Sequence, residues 1–149
     1  MALEEIRAHI KSVLEGVSGI GTVHEYERWA ADWTRYLALF KTSADKINGW
    51  TITRRGTASV RDTMPTIMRN HTFIIRGIYG LKDTDESELT FQALIEAIQD
   101  AFEDEYLLGG YALNSGPMQV NVVENRMFGT ILCHFAELTL PVEERVTYG

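Results

Sequence analysis

A single cysteine, Cys133, occurs in the 149 residues. One thiol closes no internal disulfide, so nothing points to an oxidising compartment, and a chain of this length can bury a core without covalent staples. Cys133 lies in an apolar run, where it reads as a small buried hydrophobe. His134 beside it does not make a base–thiol pair, because neighbours on a strand point to opposite faces. No apolar run approaches the roughly 18–20 residues that a membrane-spanning helix needs. The opening residues are acidic and amphipathic, without the apolar core of a signal peptide. The expectation is a protein that stays in the cytoplasm unless it is assembled into something that leaves.

Motifs of chemistry are equally scarce. The histidines are His9, His24, His71 and His134. None has a second histidine or a cysteine two to four residues away, so no zinc pattern forms. Glu25 and Glu27 share a strand face, but His24 points away from them. There is no P-loop and no Gly-x-Ser-x-Gly elbow. Gly16-Val-Ser-Gly-Ile-Gly21 has the wrong spacing for a dinucleotide loop and follows a helix, where that fingerprint needs a strand. No catalytic residue, cofactor or metal is expected, although an enzyme could still gather a site from scattered residues.

What is present is an ordinary globular composition, 45% hydrophobic and 23% charged, with a net charge of −7. That balance disfavours a dedicated nucleic-acid binder. The charge is unevenly spread. Residues 41–82 hold eight basic residues against Asp45 and Asp62, a net +6, and the remainder carries −13. Three readings follow: charges neutralised within one fold, a phosphate-binding patch, or self-complementarity. In the last, the basic middle of one subunit meets the acidic end of the next, a head-to-tail contact that closes into a ring when the rotation permits. The candidate interface residues are Trp50, Arg54, Arg55, Arg61 and Arg69 on the basic side, and Glu103, Asp104 and Glu105 on the acidic side. The acidic trio stands at a helix C-terminus, where the dipole disfavours carboxylates and a partner's cations would be welcome. Tyr26, Trp29, Trp33, Tyr36 and Trp50 supply aromatic residues favoured at interfaces, and one of the three tryptophans is expected there.

Periodicity predicts an amphipathic helix over 3–14, a strand over 22–27 and a short helix over 32–40 capped by Asp32. A strand over 47–55 follows, then a long exposed loop or extended arm over 56–69, polar and without period. Such a loop in a small domain is usually functional or partner-bound. Next come a strand over 71–79 and a helix over 86–103, with Asp85 and Glu88 as a capping box. Two antiparallel strands over 118–124 and 130–142 close the chain. The fold class is α+β: one domain, residues 1–149, with a mainly antiparallel sheet and helices packed on one face.

Several of these segments together are familiar. They are the N-terminal helix leading through a Gly-rich turn into Val23-His-Glu-Tyr-Glu-Arg28, and the strands Trp50-Thr-Ile-Thr-Arg-Arg55 and His71-Thr-Phe-Ile-Ile-Arg76 flanking a polar arm before one long helix. The ending is Val123-Glu-Asn-Arg-Met-Phe-Gly129, then Cys133-His-Phe-Ala-Glu-Leu-Thr-Leu-Pro-Val-Glu143. In this order the chain resembles the tail terminator, or tail completion, proteins of tailed bacteriophages, including minor tail proteins of that fold. The resemblance covers nearly the whole chain as a pattern and includes no diagnostic motif. It implies a non-enzymatic virion protein, assembled in the host cytoplasm, that forms a ring, typically a hexamer, at the head-proximal end of the tail tube. The ring would stop tube polymerisation and meet the head connector. DNA would pass through its lumen without specific binding, which suits an acidic protein. A connector or tube subunit is the neighbouring alternative. A nucleic-acid-binding accessory protein using the basic 41–82 segment is the alternative of a different class, and a small enzyme comes third.

Overall fold

The computed structural model describes residues 2–42 and 46–148. Asp45, one of the two acids opposing the basic segment, lies outside them. Among the described residues, three α-helices and six strands build an α+β domain around one mostly antiparallel sheet. Helix α1, Ala2–Glu15, buries Ile6, Ile10 and Leu14 on one stripe, with Glu4 and Glu5 in its favourable first turn. Helix α2, Trp33–Ala38, starts at Asp32, whose side chain accepts the Arg35 amide at 2.8 Å. Helix α3, Ser87–Asp104, buries Phe91, Leu94, Ile95, Ile98 and Phe102. The capping box expected from Asp85 and Glu88 does not form. A 3-10 turn, Asp83–Asp85, takes up those residues, and the N-cap is Glu86 in a left-handed conformation with no side-chain cap bond.

The strands are β1 (Thr22–His24), β2 (Asn48–Thr63), β3 (Thr66–Gly80), β4 (Asn114–Ser115), β5 (Gln119–Phe128) and β6 (Ile131–Thr147). The sheet order is β1-β2-β3-β6-β4, with β5 also on β6. All pairs are antiparallel except β1 with β2.

Alternation along the strands gives the sheet two different faces. One presents Trp50 and Ile52 from β2, Phe73 and Ile75 from β3, and Ala136, Leu138, Leu140 and Val142 from β6. These pack under α1 and α3 as the main core. The opposite face presents Ile78, Phe128, Cys133 and Phe135, covered at one end by Leu37 and Phe40. The two long helices therefore share a face, as expected, while the short α2 is a correction and packs on the other. Cys133 and His134 point to opposite faces, also as expected.

Of the exposed loop or extended arm expected over 56–69, the structure has the arm, and it is built of paired strands and not of loop. β2 and β3 run on to a tight turn at Met64–Pro65, and β6 accompanies β3 as far as the pair Thr66 and Thr147. The result is an arm of three strands extending beyond the helices. From Arg54 to Thr63 every residue of β2 is exposed, on both faces. A strand wet on both sides needs no apolar alternation, so the sequence carried no period to read. The register shift between Arg54 and Gly56 breaks the alternation further.

Candidate subunit interface

The arm carries three of the proposed basic residues in the open. Arg54, Arg55 and Arg61 are all exposed on β2. Arg54 reaches only the hydroxyl of Thr57 at 3.4 Å, and Arg61 touches the sulfur of Met64 at 3.6 Å. Arg69, on β3, donates to the Tyr148 hydroxyl at 2.6 Å, which ties it to the chain end. None of these four arginines has an ion pair among the described residues, whereas Arg76, deeper in the same strand, is held by both Glu27 and Glu137.

The arm is anchored by a polar tie across its three strands, buried at His71 and Glu144. Thr57 Oγ1 lies 2.7 Å from His71 Nδ1, and His71 Nε2 lies 3.0 Å from Glu144 Oε1. His71 and Glu144 are 3% and 4% exposed. Burying a charge-bearing pair is tolerable only when each partner satisfies the other, so β2, β3 and β6 are fixed together where the arm leaves the core.

The acidic trio stands at the other element predicted for it. Glu103 and Asp104 end α3, Glu105 is its C-cap, and all three are exposed. No ion pair involves them among the described residues. Beside them opens a groove of about 200 Å³, whose lining includes Phe102, Glu103, Tyr106, Pro117, Met118 and Leu140. The Ser115 hydroxyl holds its wall by donating to the Tyr106 carbonyl at 2.6 Å.

Trp50 is removed from the interface. It is 0% exposed, stacks on Phe91 at 5.9 Å and donates its indole N–H to Asn48 at 3.0 Å. It pairs across the sheet with Gly77, where a Cβ would overlap the indole ring. The inward slot left by that glycine is what makes Trp50 a core residue. Trp29, 72% exposed, and Trp33 are the outward tryptophans. With Tyr36 and the buried Phe128 they form an aromatic cluster at α2.

A second buried relay escaped sequence reasoning. His134 Nδ1 lies 2.8 Å from Asn125 Oδ1, and Ser87 Oγ lies 2.7 Å from His134 Nε2. The amide oxygen can only accept, so the imidazole proton sits on Nδ1 and the serine hydroxyl donates to Nε2. Ser87 Oγ accepts the Lys82 amide in turn, at 2.9 Å. Burial pushes the His134 pKa below its ordinary value, against an opposing pull from Glu88. The order matches nucleophilic relays. Ser87 is buried, however, and its oxygen is already engaged by a backbone amide. We read the chain as a tie between the start of α3 and the β5–β6 hairpin. Burial raises the pKa of Cys133, so its thiol stays protonated and is a poor nucleophile.

A cavity of about 720 Å³ lies at the opposite end of β3 from the arm, with Lys41, Lys46 and Lys82 in its lining. Along β3 the cavity lies at Tyr79 and Gly80, whereas Arg54 stands at the register of Phe73 and Arg61 at that of Ile67, roughly 23 Å and 43 Å away at strand rise. The basic segment of the sequence is therefore two separate groups and not one patch. Among the described residues no group of histidine, cysteine and carboxylate side chains could hold a metal ion, and no helix is long and apolar enough to cross a membrane. In comparison with known proteins, no family model and no curated protein matches the chain.

Proposed function

We propose that this protein is a structural virion component that associates head to tail into a ring at the head-proximal end of a phage tail, where it ends tube polymerisation and joins the tail to the head connector. The observation that carries the self-association is the pair of unmatched charge groups. The arm holds Arg54, Arg55 and Arg61 away from the body, and α3 ends in Glu103, Asp104 and Glu105. Neither group finds an ion-pair partner among the described residues. That no ion pair among the described residues neutralises either group supports partners in another molecule. The two surfaces are different parts of the chain, so their contact is heterologous and repeats from copy to copy until it closes.

The tail location rests on the resemblance in the order of elements, with connector and tube subunits as neighbouring roles. DNA in the lumen would meet a net acidic protein that does not grip phosphates. The reading as a nucleic-acid-binding accessory protein is weakened by the separation of the arm arginines from the lysine-lined cavity. Negative-stain electron microscopy of the purified protein, alone and mixed with tail tubes, tests the proposal. Rings, or caps on one end of each tube, are expected. A monomer that ignores tube ends and binds random duplex DNA tightly at physiological salt overturns it.

A further inference from the structure

Resting on that ring reading, we propose that the arm tip is a plug: Met64 of one copy seats in the groove beside Tyr106 of the next, with Arg61 set against Glu103. Met64 is 82% exposed at the turn of the arm, and Val60 is exposed near it. An apolar tip held out in water is an unusual use of methionine, whose flexible thioether adapts well to irregular apolar gaps. Arg61 lies against the Met64 sulfur, so the apolar tip and a cation travel together.

The groove offers the matching pair of properties. Phe102, Met118 and Leu140 are buried and form its apolar floor, while exposed Glu103 and Tyr106 stand in its wall. At about 200 Å³ it is smaller than the roughly 300–1,000 Å³ of small-molecule sites and suits a single side chain. The acids Asp104 and Glu105 follow directly, so an incoming arginine arrives in a field of one favourable sign.

The groove cannot be filled by its own arm. Leu140 in the groove pairs with Phe73, and the arm runs from there away to Thr66. That span alone is roughly 24 Å at strand rise. β3 is paired with β6 along all of it, so the arm cannot fold back without breaking the sheet. The occupant must be a second copy. Each docking leaves one free tip and one free groove, so the contact repeats from copy to copy and closes into a ring when the rotation permits.

Oxidative cross-linking of the full chain carrying Met64→Cys and Tyr106→Cys tests the seat, with light scattering run on the same sample. Both positions are exposed, so the fold should survive, and buried Cys133 should stay inert. A reducible covalent ladder beyond dimer is expected from the double variant, with at most dimer from either single variant. The charge-bearing Met64→Asp variant should weaken assembly at least about tenfold, the loss expected for a seated apolar anchor. Multi-subunit particles with no ladder and with Met64→Asp assembling normally overturn the seat and leave the ring standing. A protein that remains monomeric in light scattering, gives no ladder and caps no tail tube overturns both.

Discussion

Replacing Trp50 by alanine separates a core residue from an interface residue. The indole is fully buried, stacked on Phe91 and hydrogen-bonded to Asn48. A tryptophan buries on the order of 200 Å², and about 25 cal/mol per Å² gives an upper figure near 5 kcal/mol. The cavity left behind and the orphaned Asn48 oxygen add to the loss, and relaxation of the surroundings reduces it. A cost of about 3–5 kcal/mol is the usual outcome for such a truncation. At roughly 2–4 °C per kcal/mol for a domain of this size, Tm should fall by about 6–20 °C. Urea unfolding followed by circular dichroism, at a concentration where the protein is monomeric, measures this directly. Trp29→Ala is the internal control and should cost no more than about 0.5 kcal/mol, as exposed substitutions do. If Trp50→Ala leaves the monomer's midpoint unchanged while reducing assembly, the assignment of Trp50 to the core is wrong.

Three further outcomes are expected. Gly77→Ala places a methyl group inside the Trp50 ring and should cost about 1–3 kcal/mol by overpacking, read from the shift in urea midpoint. Glu144→Ala leaves His71 without its buried partner; a loss of about 3 kcal/mol is expected, with faster amide exchange concentrated in residues 57–63. His134 has a lowered pKa in the fold, so the unfolded chain takes up its proton first as pH falls. Its contribution to stability is complete above the unfolded value near 6.5 and is lost as pH falls from there through the folded pKa. In His134→Gln, the part of the stability change between pH 7.5 and pH 5 that belongs to this group should disappear; an identical pH profile would contradict the assignment.

The parts of the fold that bury one stripe were open to sequence reading. Ile6, Ile10 and Leu14 mark α1, Phe91 to Phe102 mark α3, and Leu138, Leu140 and Val142 mark the inward face of β6, because a water-avoiding face imposes its period on the chain. The arm was not, because strands exposed on both faces impose none. The parallel pairing of β1 with β2 and the two-residue β4 depend on contacts far along the chain, which local patterns do not carry. Trp50 illustrates the same limit at one residue. A tryptophan reads alike in a core or at an interface, and the deciding partner, Gly77, is distant in sequence. Of the candidate site, the charges of Arg54, Arg55 and Arg61 and of Glu103 to Glu105 were visible in composition alone. Their lack of ion-pair partners among the described residues, the relay through Ser87, and the groove under Tyr106 required three dimensions.

The central claim is that the arm's cations hold one copy to the acidic end of the next. The mass in solution of the native chain and of the Arg54→Glu/Arg55→Glu variant, measured by light scattering at matched concentrations, tests it most directly. Both positions are exposed and have no acidic partner among the described residues, so the variant should keep its circular dichroism spectrum and Tm. The native chain is expected as a multi-subunit particle whose mass falls with rising salt, and the variant as a monomer. A variant that is folded and has the native mass would contradict the claim.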